Sequence, residues 1–392
     1  MSTHAPCPAL LESLPAYAEQ LHALREIVLA NTIMCAEIAS PTFGEADLVR
    51  FVRDRFTESG LQNNSTDEVG NAMAIIPGRS GAQGPHLLVA AHLDNIWQDG
   101  IDHSATVGPR FMQGPGVADN SLGVATIISL PFILERLGIE LEHNVVLLGA
   151  ARSMGRGNLE GLRFFVDHTP LPIGSALCVE GVQLGRLSYS CLGMNRGEIV
   201  VETPEISGWQ SKGSRTAISE LNRIISRILA IAIPSEPKTS IILGSMNAGS
   251  GFSVPPLRAH LRFEIRSEAP GMVATIREQI EEIVDEANAE ERARASLHIF
   301  ARRKPGSIGF SHPLVRATRE IMRTLDITPI IAPSISELSV LLERDIPSLT
   351  LGVTYGENKH ELNERIEIDP IFRGLAQIAG VLQFMDQDLT HE

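Results

Sequence analysis

The order of apolar and polar positions divides the chain into two kinds of segment. Residues 8–60 carry apolar side chains at spacings of three and four, which predicts amphipathic helices. After residue 64 short apolar runs begin, and several are apolar throughout, as expected for strands that are covered on both faces. The predicted strands of this kind are Ala72 to Ile76, Leu87 to Ala91, Val145 to Ala151, Ala176 to Val179 and Ser348 to Val353.

Helical patterns lie between these strands, at Leu122 to Leu137, Gly157 to Val166 and Ser336 to Leu342. Strands that alternate with helices favour a sheet with a largely parallel central part. The sequence therefore predicts the α/β class, with a discontinuous domain formed by residues 1–195 and 303–392.

Residues 196–302 have a different pattern and predict an inserted domain. Three segments resemble strands, the last of which alternates apolar and polar side chains, and two longer segments resemble helices. Three or four antiparallel strands with two helices form a compact α+β unit. The predicted strands are Glu198 to Glu202, Ile241 to Ser245 and Arg258 to Arg266, and the predicted helices are Ala217 to Ala232 and Met272 to Ala289.

Composition excludes several classes of function. The 392 residues include 33 Lys and Arg against 47 Asp and Glu, and an acidic chain lacks the cations that neutralise nucleic-acid phosphates. No apolar run reaches the roughly 20 residues that cross a bilayer, so we expect no membrane role. The four cysteines include no Cys-x-x-Cys pair, and the N-terminal segment lacks the pattern of a signal peptide. We therefore expect a reduced, cytoplasmic protein without a nucleic-acid partner.

The strongest local signal for chemistry is an apolar strand that ends in His92-Leu93-Asp94. A single histidine at a strand end is more often structural, but three further polar groups accompany it. Asp119 precedes a predicted helix, where its other interpretation is a simple N-cap. Glu180 follows another strand, and His360 lies in a polar loop after a third. Two histidines and two carboxylates at element ends suit a divalent metal such as zinc.

These segments, taken in order, resemble the M20 family of co-catalytic zinc peptidases and amidohydrolases. The resemblance covers nearly the whole chain and implies a zinc-exopeptidase-like α/β/α sandwich with a mixed central sheet and an inserted ferredoxin-like lid and dimerisation domain. The motifs are His92-x-Asp94, Gly-Pro-Gly-Val-Ala-Asp119-Asn120, Gly155-x-Gly157-Asn158-Leu159-x-Gly161, Glu180-Gly181, Glu264-Ile265-Arg266 and His360.

The resemblance also implies a role for each of these residues. Asp119 would bridge two metal ions, His92 and Glu180 would complete one site, and His360 would bind the second ion. Asp94 would orient the His92 ring by accepting its other N–H, which is a frequent arrangement around metal ligands. The peptide bond that follows Asp119 would be cis.

One family motif is changed in a way that affects the chemistry. The family has two consecutive glutamates after an apolar strand, the first a general base and the second a metal ligand, whereas this chain has Ser153 and Met154. Loss of a general base lowers a rate by roughly 10²–10⁴-fold. A thioether is a poor ligand for zinc beside carboxylates. We therefore expect one Zn²⁺ rather than two, with Mn²⁺ or Co²⁺ as other possible ions.

The inserted domain contains a second departure and several open assignments. The stretch from Thr203 to Gln210 has no histidine where many dimeric relatives carry one. Arg262 and Arg266 would bind a substrate carboxylate or form ion pairs within the domain. By resemblance, the chain would form a homodimer through this domain. Outside it, in the loop between two of the site motifs, His103 would line the cleft or, as the simpler interpretation, lie exposed.

Two functions remain open at this stage. The first is a metal-dependent hydrolase of peptide or N-acyl amide bonds with an altered metal site and low or atypical activity. The second is a non-catalytic relative that binds a peptide, amino acid or acylated ligand in the former cleft and needs no metal. The surviving cluster of His92, Asp119, Glu180 and His360 favours the first, and the changes at Ser153 and Met154 favour the second.

Overall fold

The chain divides into two compact units. The first comprises Met1–Ser190 and Ser307–Glu392, and the second comprises Cys191–Gly306. The structure, a computed structural model, describes residues 5–61, 63–81, 84–98, 100–204, 216–252, 254–290 and 293–390.

The helices and strands follow the predicted apolar segments closely. The helices are α1 Pro8–Leu21, α2 Arg25–Glu37, α3 Ala46–Glu58, α4 Leu122–Leu137, α5 Glu160–His168, α6 Ala217–Leu229, α7 Pro270–Ala289, α8 Pro313–Thr324, α9 Leu338–Leu342 and α10 Ile371–Thr390. The strands are β1 Ser65–Thr66, β2 Ala72–Ile76, β3 His86–His92, β4 Thr106–Val107, β5 Phe111–Gln113, β6 Val145–Ala150, β7 Ile173–Val182, β8 Arg186–Ser188, β9 Ser190–Cys191, β10 Gly193–Glu202, β11 Thr239–Ala248, β12 Arg258–Ser267, β13 Arg294–Arg303, β14 Gly306–Ser307, β15 Ile330–Ile331, β16 Ser348–Thr354, β17 Gly356–Glu357 and β18 Arg365–Glu367.

The main sheet of the first unit is mixed, with a parallel centre. Its strand order is β1-β2-β6-β3-β7-β16-β8-β15. Strands β6, β3, β7 and β16 run parallel to one another, whereas β2 and β8 are antiparallel to their inner neighbours. The carboxyl ends of the central strands therefore meet along one edge, which is where ligands bind in open α/β sheets.

Helices cover both faces of this sheet, because its central strands are apolar on both sides. Leu87, Val89 and Ala91 of β3 pack in one core with side chains of α1, α2, α4, α8 and α10. Leu88 and Ala90, which point the other way, pack with side chains of α5 and α9. The predicted α/β/α sandwich is confirmed.

The second unit has a four-stranded antiparallel sheet with the order β11-β12-β10-β13. Helices α6 and α7 pack against it through a core that includes Leu221, Ile224, Ile276 and Ile280. The chain order of strand, helix, two strands, helix and strand is that of a ferredoxin-like unit.

The chain contains one apolar segment that is longer than the sequence analysis recognised. The segment Val117–Leu137 is long and apolar enough to cross a bilayer, with a mean hydropathy of 1.6 over its most apolar window. However, 89% of that window is buried inside the protein. The segment is apolar all round because α4 lies in the core between the sheet and other helices.

Candidate metal centre

Three of the predicted ligands meet at the carboxyl edge of the main sheet. His92 ends β3, Glu180 lies near the end of the parallel neighbour β7, and Asp119 lies in the turn that precedes α4. One ligand atom from each residue lies within 4.8 Å of the others. All three side chains are buried, with exposed fractions of 5–6%. A buried nitrogen and two buried carboxylates, drawn from three segments, form a site rather than a surface cluster.

Asp119 is the centre of the arrangement. Its Oδ1 lies 3.1 Å from Nε2 of His92, and its Oδ2 lies 2.7 Å from Nε2 of His360. The ammonium nitrogen of Lys359 is also 3.1 Å from Oδ2. Burial by itself would raise the pKa of Asp119, but the bonds to His360 and His92 and the charge of Lys359 hold this pKa well below its usual range.

The loop from Asn358 to Glu364 brings His360 to the same carboxylate. His360 has a positive φ of 72°, a conformation that few non-glycine residues adopt. Its backbone N–H donates to Glu364 Oε2 at 3.0 Å, which stabilises this conformation. The structure therefore places His360 beside Asp119, although its side chain is 47% exposed.

Glu364 connects this loop to the segment that contains Asp119. Its Oε1 accepts the N–H groups of Ala118 at 2.7 Å and Asp119 at 3.3 Å. Burial raises the pKa of Glu364, and the N–H donors offset only part of that effect. The sequence analysis missed this residue, because its own segment does not indicate the distant N–H groups that it binds.

The His92 ring is oriented differently from the expectation. Its Nδ1 lies 2.9 Å from the backbone carbonyl oxygen of Asp94 and 3.7 Å from the Asp94 carboxylate. The carbonyl is the nearer acceptor for the Nδ1 proton, which leaves Nε2 facing Asp119. Burial would lower the pKa of His92, but its bonds to Asp119 and Asp94 and the charge of Glu337 raise it well above the usual value.

The Asp94 carboxylate instead holds the loop that carries the changed motif. It accepts the backbone N–H of Ser153 at 3.1 Å, that of Met154 at 2.7 Å and the hydroxyl of Thr42 at 2.8 Å. Ser153 is buried, and its hydroxyl has no hydrogen-bond partner among the described residues. Asp94 therefore fixes the backbone of Ser153 and Met154 close to His92.

The Asp119–Asn120 peptide bond is cis, as the resemblance implies. The Asn120 side chain then reaches β7, where it accepts the N–H of Gly181 at 2.8 Å and donates to the carbonyl of Val179 at 3.0 Å. These two bonds flank Glu180 and fix the distance between the two carboxylates. Gly123 makes room for the amide, because a Cβ there would lie 2.1 Å from Asn120 Oδ1.

The Glu180 carboxylate makes only long contacts with hydrogen-bond donors. Its nearest polar neighbours are the hydroxyl of Ser336 at 3.4 Å and the guanidinium of Arg186 at 3.5 Å. Glu337 follows Ser336, is 3% exposed, and has one carboxylate oxygen without a hydrogen-bond partner in the described part of the chain. The sequence analysis missed Glu337, because its segment predicted only a helix.

The remaining candidates are His103, Arg262 and Arg266. His103 is 8% exposed, so the expectation of an exposed loop histidine is wrong. Arg262 and Arg266 lie in the second unit, where Arg266 pairs with Glu264 and Arg262 pairs with Glu198. Ion pairs within the domain were the alternative interpretation, although Glu198 was not an expected partner. The stretch 205–210, where a lid histidine was sought, lies outside the described residues.

The donor set fits a single divalent ion. One imidazole and two carboxylates are ligands that zinc accepts, and three protein ligands leave a position open for water or substrate. The long contacts of Glu180 leave its oxygens available. His360 shares Asp119 but does not belong to the group of three.

The sequence matches no known protein-family model and no curated protein. Its structure is similar to that of a tripeptidase from Staphylococcus aureus (TM-score 0.73, 18% identity, 93% of this chain and 99% of that one). It is also similar to a dipeptidase from Saccharomyces cerevisiae (TM-score 0.78, 14% identity, 96% and 99%). A third is a dinuclear metal-binding peptidase of the M20 family from Bacillus subtilis (TM-score 0.65, 16% identity, 94% and 99%). The chain thus has the fold of the M20 metallopeptidases.

Proposed function

We propose that this protein is a metal-dependent hydrolase of peptide or N-acyl amide bonds that uses one divalent ion, Zn²⁺ in the first place, held by His92, Asp119 and Glu180. The observation that carries the proposal is the convergence of these three buried ligands within 4.8 Å at the carboxyl edge of the sheet. The similar peptidase structures support the reaction class.

The residues around the ion divide the remaining work. An ion at this site would lower the pKa of water and polarise a substrate carbonyl oxygen. The Asp94 carbonyl holds the His92 tautomer that leaves Nε2 available, and Glu364 orients both Asp119 and His360. The Ser153 hydroxyl cannot take up a proton near neutral pH, so we expect rates roughly 10²–10⁴-fold below those of relatives with a general base.

Hydrolysis of dipeptides and N-acyl amino acids by the zinc-loaded protein tests this proposal. Release of free amine should occur with the wild type, disappear with His92→Ala, and persist with His168→Ala, which changes an exposed histidine at the last residue of α5. Release that persists unchanged in His92→Ala would overturn the proposal, and so would a wild type that binds zinc but releases no amine.

The alternative is a non-catalytic protein that binds a peptide, amino acid or acylated ligand at the same place. The side chains at positions 153 and 154 favour it, because neither hydroxyl nor thioether can replace the two glutamates. Calorimetric titration with the same compounds distinguishes the two functions. Micromolar binding without turnover, unchanged by chelator, would support the alternative.

We also propose a cytoplasmic homodimer formed through the second unit. The cytoplasmic location is supported by the cysteines, because burial raises the pKa of the Cys35 and Cys178 thiols, as expected for inert cysteines in a reduced compartment.

The dimer is supported by an edge strand of the second unit. Strand β11 lies at the edge of its sheet and has exposed Ile242 and Met246 side chains, and such an edge can pair with a second copy. Light scattering that gives a monomer mass at micromolar concentration would refute the dimer.

A further inference from the structure

The place where a second metal ion would bind, beside Asp119 and His360, contains a positively charged side chain. Lys359 directly precedes His360 in the loop over Asp119, and its ammonium lies 3.1 Å from Asp119 Oδ2. The same oxygen lies 2.7 Å from Nε2 of His360. A carboxylate oxygen has two lone-pair directions, so these two groups engage both of them.

The residues present do not fit a second ion. Beside Asp119 and His360, such an ion would need the ligand that Met154 has replaced, and a thioether is soft and neutral. It would also have to bind the oxygen that the Lys359 ammonium already contacts. An ammonium and a dication on one carboxylate oxygen repel each other strongly at such short range.

We infer that the Lys359 ammonium is a built-in cation that takes the place of the second metal ion and limits this site to one. The inference rests on the proposed function, because it assumes that the first ion binds at His92, Asp119 and Glu180. Lys359 is then the residue that determines how many metal ions the site binds. The positive charge compensates Asp119 permanently, where a second ion would do so reversibly.

The loop that carries His360 also holds the Lys359 ammonium beside Asp119. The side chain is 38% exposed, so its replacement removes a charge and a contact without opening a cavity in the core.

Counting bound ions in matched variants tests the inference. Zinc content per chain is measured by elemental analysis after loading and gel filtration, and by titration calorimetry. The variants are Met154→Glu, which restores the lost ligand, and Met154→Glu combined with Lys359→Met. The control combines Met154→Glu with Lys238→Met, which removes an exposed lysine of the second unit.

The decisive quantity is the difference in bound zinc ions per chain between Met154→Glu alone and Met154→Glu combined with Lys359→Met. We expect one ion per chain with Met154→Glu, a rise to two when Lys359→Met is added, and no rise with Lys238→Met. Two ions with Met154→Glu alone would overturn the inference, since Lys359 would then not exclude the ion. No rise in the Lys359→Met double variant would overturn it as well.

Failure of the proposed function gives a different result. A wild type without any bound ion would contradict the proposed metal site, yet the rise between single and double variants still decides the role of Lys359. If Met154→Glu does not fold, Met154→Asp supplies the same carboxylate with a shorter side chain. Circular dichroism on each variant verifies the fold before ions are counted.

Discussion

Replacement of Glu364 by glutamine should weaken both the fold and the metal site. The Glu364 carboxylate is 1% exposed and accepts N–H groups from Ala118, Asp119 and His360. Glutamine has one acceptor oxygen and one NH₂ group. If the oxygen keeps the bonds to Ala118 and Asp119, the NH₂ group faces the N–H of His360, and two donors oppose each other.

The magnitude follows from the number of bonds that are lost. A hydrogen bond to a charged group contributes about 1.5–3 kcal/mol, and the better rotamer of Glu364→Gln loses one such bond. The two retained bonds also lose their charge. We therefore expect a loss of about 2–3 kcal/mol in the free energy of unfolding, which lowers Tm by roughly 2–4 °C in a protein of 392 residues. Because both Asp119 and His360 lose support, zinc affinity should fall by about 10–100-fold.

Thermal unfolding and calorimetric zinc titration measure the two effects. The matched control is Glu361→Gln, three residues earlier in the same loop, whose side chain is exposed. An exposed substitution of this kind changes stability by less than about 0.5 kcal/mol. If Glu364→Gln unfolds at the same temperature as the control and binds zinc as the wild type does, then Glu364 does not hold the two segments together.

Four further outcomes follow from the same contacts. The pKa of Glu364 is raised in the folded state, so the stability that Glu364 provides is fully present below the unfolded pKa of about 4.3 and decreases as pH rises through the raised pKa. The difference in unfolding free energy between wild type and Glu364→Gln should therefore be larger at pH 4.5 than at pH 8. A larger difference at pH 8 would contradict this reasoning. Asp94→Asn places an NH₂ donor opposite the N–H groups of Ser153 and Met154 and should lower the free energy of unfolding in urea by about 1–3 kcal/mol. An unchanged urea midpoint would show that the carboxylate does not hold the loop. Gly123→Ala places a methyl group on the Asn120 amide and should cost about 1–3 kcal/mol, which the same unfolding assay measures. Zinc at 100 times its Kd should stabilise the wild type by about 2.7 kcal/mol and leave His92→Ala unchanged; equal shifts in both proteins would indicate binding elsewhere.

The sequence predicted the elements that are apolar over their whole length. The predicted strand Leu87 to Ala91 is contained in His86–His92, and the predicted helix Leu122 to Leu137 is α4 itself. Burial on both faces makes such segments apolar throughout, so their composition is sufficient evidence. Strand β13 was not singled out, because arginines at both of its ends leave only a short apolar segment from Ala295 to Ala301.

The residues of the site also divide into those that the sequence predicted and those that it could not. His92 and Glu180 follow apolar runs, and their convergence was predictable because parallel strands end at one edge. Asp119 lies in the turn before α4, and only the resemblance implied its place beside them. Glu337 and Glu364 act through contacts between segments that are far apart in the chain. The bond from Ala118 to Glu364, for example, joins residues separated by 246 positions. Periodicity in one segment carries no information about such a partner.

His92 shows where resemblance alone misassigned an atom. The motif His-x-Asp places a carboxylate two residues after the histidine, and the expected acceptor for the Nδ1 proton was that carboxylate. In the structure the Asp94 backbone carbonyl is nearer to Nδ1, and the carboxylate binds the loop of Ser153 and Met154. A motif fixes which residues are neighbours but not which of their atoms form the bond.

The number of zinc ions per chain in the wild type tests the central claim most directly. Elemental analysis of protein purified without chelator and then loaded with zinc should give one ion per chain, and His92→Ala should give none, whereas His168→Ala should match the wild type. Two ions in the wild type would contradict the single site at His92, Asp119 and Glu180, and no bound ion after loading would contradict metal-dependent hydrolysis by this protein.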